Sequence, residues 1–445
     1  MGSHSLGLGR LIVPWKPFPQ ETYVLSSASL IDPVSGTVAE NMTVCLTGGI
    51  VKSIQHSNKT IESDRNAIHV DLKGKYICPG LIDCHVHIAA IPGEPGLRDM
   101  ISLDPSTSLL RQPYVCKSML DRGFTTVRDC GGATLPLKQA VEDGLFPGPR
   151  LFIAGHALSQ TGGHGDVRHQ NDSSECCGGS VVSFGRIVDG VDQCLKYTRE
   201  ELRQGADFIK IMGGGGVASP TDRIEHQQFS EEEIQAIVTV ASNAGTYVTA
   251  HAYTPHSIQL AVKRGVKGIE HGNLIDEPTA KLMAENRVFL TPTLVAYATM
   301  ASPEFKHFLP ATSAEKNKAV LERGLLAIKV AREAGVTICF GTDLLGPLHF
   351  AQTHEFSLRS KVQNAVEILQ SATVNAARLL RKEDFLGQIL PGFAADLLIL
   401  DANPLEDITV LDGPHEHLLA TIKDGRVVAS RWSELAVERD PQANL

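Results

Sequence analysis

The 445-residue chain contains no run of ~18 to 20 consecutive apolar residues, the length a membrane-spanning helix needs, so no such span is expected. It also has no block of like charge. Its 41 Lys+Arg against 50 Asp+Glu give a net charge of −9 without a basic patch, which argues against a nucleic-acid or anionic-membrane surface. No disulfide framework is indicated: the nine cysteines are an odd number, scattered singly except for Cys176-Cys177, in a chain long enough to build a core without covalent staples. The stretch Met1 to Trp15 lacks both a continuous apolar segment and a small-residue cleavage site, so a cytoplasmic location is expected. Sequons at Asn41, Asn58 and Asn171 would matter only in a secreted protein. What is present is a globular composition, 42% hydrophobic and 20% charged, whose default partner is a small molecule.

From Thr22 to about Tyr76, short alternating segments such as Tyr23-Val24-Leu25 and Thr43-Val44-Cys45-Leu46 are broken by Gly48-Gly49 and Lys73-Gly74-Lys75, and read as strands. The same texture returns in Ala395 to Leu400 and in Leu418 to Val428, with its Asp424-Gly425 turn. The middle alternates helical patterns with short apolar strands. After Ser230, Glu233 completes a capping box, Ile234, Ile237, Val238 and Ala241 share one face, Gly245 stops the helix, and Tyr247-Val248-Thr249-Ala250-His251 follows. Glycine-then-strand units recur at Gly123 to Asp129, Gly205 to Lys210, Gly265 to His271 and Gly335 to Asp343. With Ile82 to Val86, Leu151 to Ile153 and Val288 to Leu290 the candidate strands number eight. The economical fold is α/β: a (β/α)8 TIM-like barrel with a small β-sandwich domain formed by both chain ends. The expected division is 1–79 for the first part of the β domain, 80–385 for the barrel, and 386–445 for the remainder of the β domain and a tail. An open doubly wound sheet is the alternative, but no glycine-rich dinucleotide fingerprint follows the first strand.

In such a barrel the carboxyl ends of the strands share one mouth. They carry His85 and His87, Lys210, His251, His271 and Asp343. A second His-x-His pair, His415 and His417, lies among Asp, Gly, Pro and Glu and reads as a solvated loop. Strand alternation sends His85 and His87 to one face. Singly, His251 or His271 would pass for hydrogen-bonded core histidines; four histidines at three strand ends with a carboxylate at a fourth suit zinc or another borderline divalent ion. Beside such a cation Lys210 would be repelled and desolvated, which favours a neutral amine able to take up carbon dioxide as a carbamate. A Schiff base is the rival use of a strand-end lysine, but that chemistry needs no histidine cluster.

These residues, with the run Pro79-Gly80-Leu81-Ile82-Asp83-Cys84-His85-Val86-His87 and the closing stretch Gly387 to Leu397, resemble the metal-dependent amidohydrolase superfamily of binuclear carboxylated-lysine type. The resemblance covers nearly the whole chain. It implies two divalent metal ions, zinc being the first choice, and a CO2-derived carbamate on Lys210. One ion would be held by His85, His87, Lys210 and Asp343, the other by Lys210, His251 and His271. A metal-bridging hydroxide would attack an amide, with Asp343 as general acid and base. The segment Ser159 to Asp166, with His251-Ala252-Tyr253, is similar to the branch of prolidase-like and Xaa-Arg/Lys dipeptidases and ochratoxinase, which releases a C-terminal amino acid from dipeptides or N-acyl amino acids. That likeness implies His164 and Tyr253 as ligands of the substrate's free carboxylate. Gly213 to Gly216 lacks the Lys-Ser/Thr of a phosphate loop and reads as close backbone approach to substrate. A small-molecule amide or peptide substrate and a homo-oligomer are expected, without nucleic acid or membrane. The alternatives are a cyclic amide or lactone hydrolase or deaminase of the same fold, and a catalytically inactive structural relative; all six ligand positions are filled, which disfavours the last.

Overall fold

The computed structural model describes residues 12–59, 66–168, 170–172, 184–219 and 221–438; Cys176 and Cys177 lie outside them. The N-terminal strands are β1 (Tyr23–Asp32), β2 (Thr37–Thr47), β3 (Ile50–His56), β4 (Ile68–Asp71) and β5 (Tyr76–Pro79). Gly48 and Gly49, at φ 60° and 81°, form the two-residue turn between β2 and β3, since a tight hairpin of native twist needs left-handed backbone at both positions. A bulge at Ser26-Ser27 splits β1, so its first half pairs with β4 and its second half with β5.

The barrel follows directly from β5. Its strands are β6 (Leu81–Val86), β7 (Phe124–Asp129), β8 (Arg150–Ile153), β9 (Ala157–Ser159), the short β10 (Gly185–Ile187), β11 (Ile209–Met212), β12 (Val248–Ala252), β13 (Gly268–His271) and β14 (Phe289–Thr291). All their pairings are parallel. The third of the eight positions is one strand broken in two: β8 pairs with β7, and β9, beyond Gly155, pairs with β11. The eighth, expected as a regular strand ending at Asp343, is instead a single bridge from Ile338 to Leu290 and an irregular run that closes the ring through Cys84 N–H to the Phe340 carbonyl, 2.8 Å. The ladder breaks because Thr342 and Asp343 both donate to the His85 carbonyl, and because Gly341 lies against β6, where a Cβ would meet His85 Cβ at 3.0 Å. The helix Glu231–Asn243 has the expected capping box, and Gly245 follows it at φ 76°.

The chain then returns to the first sheet as β15 (Leu397–Leu400), β16 (Leu418–Lys423) and β17 (Arg426–Ser430), giving the order β17-β16-β15-β5-β1-β2-β3. Asp424 and Gly425 make the expected hairpin turn. The fold is thus a TIM-like barrel with an added β-sandwich built from both chain ends. No described helix is long and apolar enough to cross a membrane.

Arg150 at the start of β8 joins the two parts: it donates to Asp396 (2.5 Å), to Thr126 (3.0 Å) and to Asp424 in the last hairpin. Burial works to lower its pKa, but the two carboxylates outweigh that and raise it above the ordinary value. Removing one partner of a largely buried pair strands the other charges. Arg150→Met should therefore cost about 2 to 4 kcal/mol, read as a lower denaturant midpoint, and a midpoint equal to wild type would show that the junction is held by apolar contacts alone.

Candidate metal centre

His85, in β6, and His87, just beyond it, point the same way, as alternation requires. Their Nε2 atoms lie 3.3 and 3.2 Å from Asp343 Oδ1. His271 closes β13 with its ring 5.1 Å from that of His85 and 4.5 Å from that of His251 in β12. His271 and Asp343 are both held at left-handed φ, 74° and 53°, a conformation that costs energy for residues other than glycine and gathers where function demands a particular side-chain aim. Lys210 is the second residue of β11 rather than its last, because the parallel ladder to β12 continues beyond it to Met212, opposite His251. Its side chain is 1% exposed and close enough to act electrostatically on all of His85, His251 and His271. Among the described residues it forms no ion pair.

Each of the four imidazoles has one nitrogen committed. His85 Nδ1 bonds Glu270 at 2.7 Å, His87 Nδ1 donates to the Gly131 carbonyl at 2.9 Å, His271 Nδ1 faces Thr293 and Tyr297 hydroxyls at 2.7 and 2.8 Å, and His251 Nε2 donates to the Gly215 carbonyl at 3.1 Å. A nitrogen held as N–H leaves the other as a lone pair, which is how ligating histidines are fixed in one tautomer. The remaining nitrogens are Nε2 of His85, His87 and His271 and Nδ1 of His251. Burial, followed for His251 by the His164 and His271 rings, holds His251 well below the ordinary imidazole range; burial does the same for His271, and both rings are neutral. Burial pushes the Asp343 carboxyl upward, but His85 and the hydrogen bonds from both histidines outweigh it and keep it ionised. Against the cost of burial, Asp343 and Glu270 flank His85 and favour its protonated form, so a cation would take the place of the protons that His85 and His87 share with Asp343; imidazoles and a carboxylate are a donor set suited to a divalent cation. His85, His87 and Asp343 already bring their ligand atoms within 4.8 Å of one another.

Two buried residues of the site were not singled out from sequence. Glu270 bonds His85 on one side and Arg128 on the other, at 2.6 Å, and accepts from Thr249 as well. Burial would raise its carboxyl; Arg128 and His85 overcome that and hold it low. The clue available was a carboxylate directly before the strand-end His271 and an arginine among the apolar residues of β7. Glu270, Cys130 and His85 also form a compact ligand-like trio, but Arg128 already occupies the carboxylate, so it reads as support for His85 rather than as a second cation site.

The two residues expected to meet substrate are next to this cluster. His164 stacks on His251, centroids 4.2 Å apart, and Tyr253 stands edge-on to His251 at 4.9 Å. The Tyr253 hydroxyl is 2.9 Å from that of Tyr297, and both phenols pack in one apolar cluster where an unpaired hydroxyl would be costly. The glycine run was expected to admit substrate, and its tightness is internal: a Cβ at Gly216 would lie 2.0 Å from the His164 ring, and one at Gly215 1.8 Å from the Arg223 carbonyl oxygen. The run seats His164.

A model described as the amidohydrolase family matches residues 76–428. Ochratoxinase from Aspergillus niger is 30% identical over 405 residues, 87% of this chain and 83% of that protein. Among solved structures, one described as an amidohydrolase is 46% identical with TM-score 0.87, covering 91% of this chain and 98% of its own. Another, a prolidase complexed with N-methylphosphonate-L-proline, is 42% identical with TM-score 0.88, covering 92% and 100%.

Glu270→Gln keeps the shape behind His85 and removes its charge. Zinc affinity measured by chelator competition should fall about 10- to 100-fold; an unchanged affinity would mean that His85 needs no carboxylate behind it.

Proposed function

The chain belongs to the amidohydrolase family, and on that premise we propose that it is a two-metal hydrolase that releases a C-terminal amino acid from N-acyl amino acids or dipeptides. Its kinship with prolidase- and ochratoxinase-type enzymes supports hydrolysis of amide or peptide bonds in general. The observation that carries the finer reading is a cluster of four buried histidines, each with one nitrogen committed, of which His85 and His87 reach Asp343, together with a buried Lys210 that forms no ion pair among the described residues.

In this reading His85, His87, Lys210 and Asp343 hold one divalent ion and Lys210, His251 and His271 the other, with zinc the best match to the donors. Lys210 would serve as its carbamate, which would replace a buried side chain that has no ion pair among the described residues with a carboxylate suited to divalent cations. When bound, the ions supply Lewis-acid polarisation of the scissile carbonyl and bring the ionisation of water toward neutral pH. Asp343, whose side chain keeps 21% of its surface open to the mouth, takes the proton from the attacking water and passes it to the leaving amine. That transfer conserves the proton: the water's hydrogen becomes the new N–H of the released amino acid.

The hydroxyl chain gives Tyr253 its role. If His271 ligates through Nε2, its Nδ1–H donates to Tyr297 or Thr293. Tyr297 then directs its own hydrogen to the Tyr253 oxygen, and the Tyr253 hydrogen is left for the substrate carboxylate. Burial raises the pKa of both phenols, so both stay protonated donors. His164 completes the substrate side of the mouth. The complex of the related prolidase with a phosphonate analogue of an acyl-proline supports an amino acid as the leaving group.

The deciding experiment is release of amino acids from a panel of N-acyl amino acids and dipeptides, read by mass spectrometry; turnover confined to cyclic amides or heterocycles would overturn the assignment. Metal analysis should approach two ions per chain. Lys210→Ala should abolish turnover, with partial recovery on adding a small carboxylate, and borohydride trapping of substrate on Lys210 would point to a Schiff base instead. Tyr253→Phe should lower kcat/KM about ten- to a hundredfold on a free-carboxylate substrate and barely affect its methyl ester. Equal losses on both would make Tyr253 a packing residue.

A further inference from the structure

Behind His164 lies a polar network with no part in binding the ions. Its centre is Asp222, a carboxylate on the loop after β11 whose side chain is fully buried. Each of its nearest partners can only donate or has a hydrogen to give. Gly216 N–H reaches it at 3.0 Å, Gln228 Nε2 at 2.9 Å and the Lys316 ammonium at 3.5 Å, and Ser219 Oγ is in short contact with its Oδ1. Lys316 comes from a different element, the helix Ala311–Glu333, and also donates to the carbonyls of Gly216 and Ser219, both at 3.0 Å. The ammonium therefore pins the loop and balances the charge of Asp222 together.

This arrangement decides the hydrogens. A serine hydroxyl has one proton, and the carboxylate is the strongest acceptor it can reach. Ser219 gives its proton to Asp222, and its oxygen is left to accept. The neighbour in position to donate is His164 Nδ1, 2.7 Å away. The residue is held on its other sides as well: the backbone N–H of His164 donates to Gln228 Oε1 at 2.9 Å, one face of the ring stacks on His251, and Gly216 passes so close to the ring that no side chain fits there. Among the described residues Nε2 has no partner.

We propose that Asp222, acting through Ser219 and anchored by Lys316, is a positioning group that fixes His164 with its proton on Nδ1, so that Nε2 faces the substrate as a hydrogen-bond acceptor. The inference rests on the proposed function only for the statement that substrate occupies the mouth. In place of the carboxylate contact that the family likeness implied for both residues, it assigns His164 to an N–H or O–H donor of the substrate and leaves the free carboxylate, which offers no hydrogen, to Tyr253. The arrangement has the order of a carboxylate, hydroxyl and imidazole relay, but no covalent step is required of it; its product is an oriented lone pair.

The test is the ring's tautomer, read from the imidazole 15N shifts of histidine-labelled, metal-loaded enzyme well above neutral pH, with His164 identified by its loss in His164→Gln. Wild type should show the proton on Nδ1. Ser219→Ala should give a mixture of tautomers and raise KM about three- to tenfold with little change in kcat, as expected when a uniform binding contact is loosened. Ser219→Thr, which keeps the hydroxyl, should restore both. A proton on Nε2 in the wild type, or a Ser219→Ala enzyme with unchanged tautomer, overturns the proposal; a changed tautomer with unchanged KM overturns its substrate half. Because the tautomer is measured without substrate, failure of the amino-acid-releasing assignment would leave this result intact and distinguishable.

Discussion

The carboxylate of Glu270 is the constraint on which the mouth of the barrel depends. It holds His85 of β6, Arg128 of β7 and Thr249 of β12 from its own place in β13, so one ionised group ties four strands where the apolar barrel core gives way to polar chemistry. Burying a carboxylate or a guanidinium is costly unless it is paired. Each therefore makes the other tolerable, and their sum aims one imidazole. The same economy recurs at the margin of the site, where Lys316 and Asp222 bring opposite charges together and the net result is an orientation rather than a stabilising surplus.

The strand pattern was legible because helix after helix ends at a glycine with a strand beginning within a few residues of it: Gly123, Gly205, Gly265 and Gly335 all sit at positive φ, though the helix before β14 ends instead on Arg287. The two tight hairpins were equally plain from Gly48-Gly49 and Asp424-Gly425. What sequence could not show was the departure from regularity. The break between β8 and β9 and the unladdered run before Asp343 arise from contacts to residues distant in the chain, Gly341 against His85 above all, and no local propensity records those.

For the site, the strand-end histidines and Asp343 could be read from alternation and position. Glu270 and Arg128 could not, since charged residues within apolar strands are visible but their partners, 142 positions apart, are not. Tyr297 was hidden for another reason: it lies on the helix Leu294–Met300 after β14, where a tyrosine among alanine and valine looks like ordinary packing. Its bond to Tyr253 changes what that hydroxyl can do. A sequence motif names the residue that touches substrate; the direction in which its proton points is set by neighbours contributed from elsewhere.

The pairing of β5 with β15 has a consequence for the order of events during synthesis. Residues Tyr76–Pro79 run without interruption into the first barrel strand, yet their antiparallel partner, Leu397–Leu400, is made only after the whole barrel. At ribosomal rates of about 5 to 20 residues per second, that partner emerges roughly 15 to 60 s later. Throughout that interval the edge of β5 away from β1 has no mate, and Ile399 is not there to join Leu25 and Ile77 in the cluster they share in the finished protein. The nascent chain must therefore carry an open sheet edge for most of its translation, the kind of unpaired strand edge through which growing chains associate.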